Sequence, residues 1–104
     1  MSIKAVVRLI ASMLALAPGF AQAADAELGE YLSAECVTCH QLSGDSAGGI
    51  PPIVGLPEDL FVEAVLAYKT GERSNEVMHN IAARLSTEEI AALAAYFAAH
   101  KPKH

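Results

Sequence analysis

Between Gln41 and Leu56 the chain carries four glycines (Gly44, Gly48, Gly49, Gly55) and the pair Pro51-Pro52. Neither a helix nor a central strand tolerates that density of breakers, so a long loop must run through the middle of a 104-residue chain. A loop of this length in so small a domain usually has something to wrap. The patterning on both sides is helical. From Ala26 to about Cys36, Leu28, Tyr31 and Leu32 fall on one face, with Glu27, Glu30 and Ser33 elsewhere. Pro57 at a first helical position, followed by Glu58 and Asp59, opens a second helix. Its stripe is Phe61, Ala64, Val65 and Tyr68, and Gly71 supplies the stop. Ser74 or Asn75 can cap a short helix containing Val77, Met78 and Ile81. Ser86-Thr87-Glu88-Glu89 forms a capping box for a last helix with the stripe Ile90, Leu93, Ala94 and Phe97, and Pro102 lies beyond its end. No alternating strand pattern and no internal repeat occurs. The expected class is all-α.

Much of the apolar content sits at the N-terminus. Residues 1–10 carry Lys4 and Arg8 and no acid, Leu9 to Ala17 is an apolar run, Pro18-Gly19 breaks it, and Ala21-Gln22-Ala23 offers small residues for cleavage. This pattern predicts an export signal over residues 1–23, too short for a membrane span, with a single domain over residues 24–104. Cleavage leaves all twelve acids against five bases, a net charge of −7 with histidines neutral. Such a balance excludes nucleic acid as a partner, since its binders need a basic face. It suits a soluble periplasmic protein, not embedded in a membrane, that meets a basic surface. A domain of this size needs a staple such as a disulfide, a metal or a cofactor, and two cysteines are available to serve.

Those cysteines stand in Cys36-Val37-Thr38-Cys39-His40. Two cysteines three apart with His directly after the second form the attachment motif of c-type haem. Coming off a helix end, both thiols can reach the two vinyl groups of one macrocycle as thioethers, and His40 then lies under the iron as proximal ligand. A thioredoxin-like redox pair would need βαβ alternation, which is missing. A zinc site would want four ligands, and His79, His100 and His104 show no second paired spacing. The export signal agrees with haem, because thioether attachment of this kind takes place outside the cytoplasm.

With these motifs in place the chain resembles class I cytochromes c over essentially all of residues 24–104. The resemblance implies a fold of about four short helices wrapped round one covalently bound haem c. It places Leu32 against the C-terminal helix, at Leu93, Tyr96 and Phe97. It also assigns the carbonyl that accepts the proximal imidazole N–H to Pro51 or Pro52, a choice the residues leave open. The sixth ligand falls to Met78, 38 residues after His40 and the one methionine left after cleavage. Core packing is the alternative for Met78. His79 is the runner-up ligand, although adjacent helical residues point about 100° apart and an edge position suits it better. His100 and His104, in a Lys-rich tail, read as exposed.

A narrower resemblance rests on Phe61-Val62-Glu63, Tyr68-Lys69-Thr70-Gly71-Glu72, Val77-Met78, Ile81-Ala82 and Ser86-Thr87. These look like the cytochrome subunit of flavocytochrome c sulfide dehydrogenases, whose well-known members carry two haem domains where this chain has one motif. The cytochrome c4/c553 group shares the Lys-x-Gly turn and the Met. The first resemblance implies an electron-transfer subunit, not catalytic alone, that takes electrons from a flavoprotein holding FAD and passes them to an acceptor such as another cytochrome. The second implies a freely diffusing periplasmic carrier. A haem enzyme or sensor would need an open axial site. Ile50, Ile53, Val54 and Leu56 are expected either to face a partner or simply to cover the haem. Glu58-Asp59 and Glu88-Glu89 read as helix N-terminal charges, not as catalytic pairs.

Overall fold

The computed structural model describes residues 17–46 and 48–101, with side chains from Asp25 onward. Among the described residues five helices follow one another: α1 Ala17–Leu32, α2 Ala34–Val37, α3 Glu58–Thr70, α4 Glu76–Ala83 and α5 Thr87–Ala99. Among the described residues there is no strand, and no helix is long and apolar enough to cross a membrane. The 16 N-terminal residues of the expected export segment, together with Pro102 and His104, lie outside the described residues.

The first helical stretch differs from its predicted form. Its backbone is already helical at Ala17 and divides at Ser33 into α1 and the single turn α2. Ser33 is buried, and its hydroxyl donates to the Glu30 carbonyl at 2.6 Å. A serine that bonds the preceding turn in this way competes with regular helix geometry. Downstream, α3 begins one residue later than expected. Pro57 is non-helical (φ −54°, ψ 141°) and serves as the cap, its carbonyl accepting from Phe61 N–H at 3.1 Å. Gly71, at φ 85°, ends the helix in the left-handed conformation glycine adopts without a Cβ clash. Asn75 rather than Ser74 caps α4, and Ser86 with Glu89 makes the complete capping box of α5.

The core is one small cluster. Ile90, Leu93, Ala94 and Phe97 of α5 are buried as their stripe predicts, against Phe61 and Val65 of α3, Ala82 of α4 and Val54 of the loop. Phe61 and Phe97 stack with centroids 5.7 Å apart. The loop is tied to α5 where Gly55 N–H donates to the Phe97 carbonyl at 2.8 Å.

Helices α1 and α5 pack together at a glycine that the sequence reading passed over. A Cβ on Gly29 would lie 2.5 Å from the Ala92 carbonyl oxygen and 2.9 Å from the Tyr96 Cβ. The closest approach is therefore through Gly29, while Leu32 is half-buried and packs against the core. Tyr31, expected on the packed face, is 80% exposed instead. It stands two residues and so about 200° from Gly29, on the far side of the helix. Gly29→Ala is expected to cost about 1–3 kcal/mol, the usual range for overpacking against atoms that cannot yield. Denaturant unfolding of the holoprotein checks this, and an unchanged midpoint would place the contact elsewhere.

Candidate functional site

Helix α2, which carries Cys36, ends at the site, and Cys39 follows it. Cys39 and His40 N–H both donate to the Cys36 carbonyl, at 3.2 and 2.8 Å, so the motif is wound into one further tight turn. Cys36 is half-buried and Cys39 is exposed. Burial pushes the Cys36 thiol up to about 11, and the Glu35 carboxylate beside it pushes the same way. Such an environment does not favour a thiolate at Cys36.

His40 Nδ1 lies 2.7 Å from the Pro51 carbonyl oxygen. A carbonyl oxygen only accepts, so Nδ1 carries the proton and Nε2 of the neutral ring keeps its lone pair for a metal. The loop thus answers what the sequence left open, with Pro51 the partner of the ring. Met78 sits in the first turn of α4, its N–H donating to Asn75 Oδ1 at 2.9 Å.

Cys36, Cys39, His40, Pro51, Pro52 and Met78 all line one cavity of about 800 Å³. That volume lies toward the upper end of small-molecule and cofactor sites, roughly 300–1,000 Å³. Its remaining wall is largely apolar, with Ile53, Leu56, Phe61, Val65, Ile81 and Leu93 prominent. Much of the core is therefore also cavity wall. The loop residues Ile50, Ile53 and Leu56 are half-buried and face this cavity, and Val54 is buried in the core, so they cover the site. Leu60 and Val77 also line it yet are 50% and 62% exposed, apolar side chains at the cavity's edge. An apolar slot with paired thiols and a tautomerically fixed imidazole fits a covalently held haem, and Met78 on the same wall offers a further donor.

His79 and His100 are not part of the cavity wall. His79 is exposed, with Nδ1 2.8 Å from the Tyr68 carbonyl oxygen. His100, expected to be exposed, is half-buried at the end of α5. Its Nδ1 lies 2.7 Å from the Tyr96 carbonyl oxygen, and its ring packs against Tyr96 with centroids 4.3 Å apart. The imidazole there satisfies a carbonyl of the last turn, which the charge of the tail did not foretell. Glu58 and Asp59 lie in the first turn of α3, Glu88 and Glu89 in that of α5, consistent with helix-end charges. Arg84 and Glu35 meet at 3.4 Å, but both are more than half exposed and such a pair contributes about 0–1 kcal/mol.

Residues 26–101 match the model of the family described as Cytochrome c. The chain belongs to the cytochrome c family, with the all-α class I fold. Membership implies covalently bound haem c and a function in electron transfer.

Over 72 residues, 67% of this chain, it is 36% identical to the "Thiosulfate dehydrogenase electron acceptor" of Thiomonas intermedia, covering 33% of that protein. Over 69 residues, 66% of this chain, it is 38% identical to the "Cytochrome subunit of sulfide dehydrogenase" of Chlorobaculum tepidum, covering 63% of it. Cytochrome c4 of Pseudomonas aeruginosa is 35% identical over 85 residues, 80% of this chain and 42% of that protein. The chain thus spans from about a third to somewhat under two thirds of the length of these curated relatives.

Replacing one thiol should leave a single tether. Cys39→Ala is expected to give haem attached through Cys36 alone, in reduced yield, with the absorption band of the alkaline pyridine derivative moved to longer wavelength by the unreacted vinyl group. A wild-type band position would contradict a role for Cys39 in attachment.

Proposed function

We propose that this chain holds one haem c, with Cys36 and Cys39 as thioether partners, His40 as proximal ligand, Met78 as distal ligand and the Pro51 carbonyl orienting His40. The observation that carries this reading is the convergence of His40 and Met78 on one apolar cavity, each held by its own hydrogen bond. When bound, haem supplies a one-electron couple whose potential His/Met ligation raises. The Pro51 carbonyl holds the imidazole in one orientation and strengthens it as a donor. The apolar wall keeps water from the ring, and two protein ligands leave no position for substrate, which suits electron transfer and no bond-making chemistry.

Residues 1–23 are read as a cleaved export signal and residues 24–104 as a single haem domain that works in the periplasm. The donor we infer is a flavoprotein sulfide dehydrogenase with FAD in its own subunit, and the acceptor a further cytochrome. Support comes from the 38% identity to a protein named as the cytochrome subunit of sulfide dehydrogenase, and from the run Tyr68 to Glu72 with its spacing to Met78 and Ser86. A second reading, a freely diffusing carrier, is favoured by the likeness to cytochrome c4.

Isolation under mild conditions from the native periplasm tests both. Co-purifying flavin with sulfide-dependent reduction of a c-type haem is the expected result. The same haem spectrum without a flavoprotein would favour the diffusing carrier, and a chain without haem would overturn the reading as a whole.

A further inference from the structure

Two hydrogen bonds between α3 and the α4 region, from His79 and from Lys69, form a lacing that the functional reading does not use. The Tyr68 carbonyl stands at the C-terminal end of α3, where no regular helical donor follows. The residue four ahead, Glu72, turns its N–H to the Thr70 hydroxyl at 3.5 Å instead. The Tyr68 oxygen accepts from Gly71 N–H at 3.3 Å and from His79 Nδ1 at 2.8 Å, so His79 of α4 supplies a donor for an otherwise under-satisfied helix end. In the opposite direction, Lys69 of α3 donates through Nζ to the Leu85 carbonyl, just beyond the C-terminus of α4. The Asn75 cap holds the N-terminus of α4 at Met78 N–H.

We infer that His79 is a positioning residue for Met78, with Lys69 as its counterpart at the far end of α4. His79 does not line the cavity, so its role is indirect. Pinning its ring to α3 fixes the rotation of α4 about its own axis, and hence the direction in which Met78, about 100° round the same turn, projects. The eight-residue α4 also packs on α3, with Ala82 buried and Ile81 half-buried, and the His79 and Lys69 bonds add direction to that apolar contact. Only Nδ1–H can donate to the Tyr68 carbonyl, so the bond commits that ring nitrogen. This inference rests on Met78 as the distal ligand.

The test compares His79→Ala and His79→Asn holoproteins with wild type and Met78→Ala, reading the near-infrared sulfur-to-iron band and the rate at which cyanide replaces the distal ligand. Asn presents its amide N–H near the place of Nδ1. Removing one net hydrogen bond is expected to raise the cyanide rate about fivefold in His79→Ala, with the band kept but weakened and most of the effect reversed in His79→Asn. A band present in wild type and a cyanide rate unchanged in His79→Ala, even with a lowered unfolding midpoint, would overturn the positioning role and leave Met78 as ligand. A rate raised equally in His79→Asn would also overturn it, since bulk and not the bond would then matter. A band missing from wild type, or unchanged in Met78→Ala, would overturn the ligand reading itself.

Discussion

His40→Ala is expected to yield little or no stable holoprotein, and the chain that remains should lose most of its helical circular dichroism. The imidazole lines the cavity with Nδ1 turned to the Pro51 carbonyl, which leaves Nε2 for a metal. Its removal takes away both the proposed iron ligand and the partner of the loop carbonyl at Pro51. The consequence for folding follows from the size of the cavity. Emptying a single leucine site, about 150 Å³, costs about 3–5 kcal/mol. This cavity measures about 800 Å³, whereas whole small domains have only about 5–15 kcal/mol of stability. Phe61, Val65 and Leu93 serve as both core and cavity wall, so without haem they lose the packing on one side. Wild-type helix content in the variant would show that the polypeptide supports itself and would overturn this account.

Met78→Ala is expected to keep the haem, because Cys36, Cys39 and His40 are untouched, while changing what the iron does. The reduction potential should fall by on the order of 0.1 V or more, given the range that axial ligands command. The open position should bind carbon monoxide in the reduced protein and cyanide in the oxidised one, and the near-infrared sulfur band should vanish. Redox titration and carbon monoxide difference spectra check these outcomes together. A variant that retains the wild-type potential and excludes carbon monoxide would remove Met78 from the iron. The fold should change little, since Met78 is half-buried and lies outside the core cluster.

The chemistry of this chain is local in sequence, which is why so much of it could be read there. Cys36, Cys39 and His40 lie within five residues, and a tight turn suffices to gather them. The stripes of α3 and α5, the stop at Gly71 and the capping box at Ser86 are likewise local, since helical periodicity and capping act over three or four residues. The density of breakers from Gln41 to Leu56 was enough to forbid regular structure there.

What spans distance had to wait for the fold. Pro51 and Pro52 are equivalent as residues, and only the path of the loop puts the Pro51 carbonyl 2.7 Å from His40. Gly29 gives no local sign of its role, because its lack of a side chain matters only where Ala92 and Tyr96 arrive from the other end of the chain. Tyr31 looked apolar and well placed, but that close approach chose which side of α1 is buried. His79 and His100 show the same limit. An imidazole can bind metal, meet water or satisfy a helix-end carbonyl, and only the Tyr68 and Tyr96 carbonyls beside these rings decide among those uses. The sequence by itself determined the helices and the attachment motif, because each rests on neighbours along the chain. Tertiary structure alone decided the orienting carbonyl, the helix crossing and the lacing of α4, because each is a contact between segments that only folding brings together.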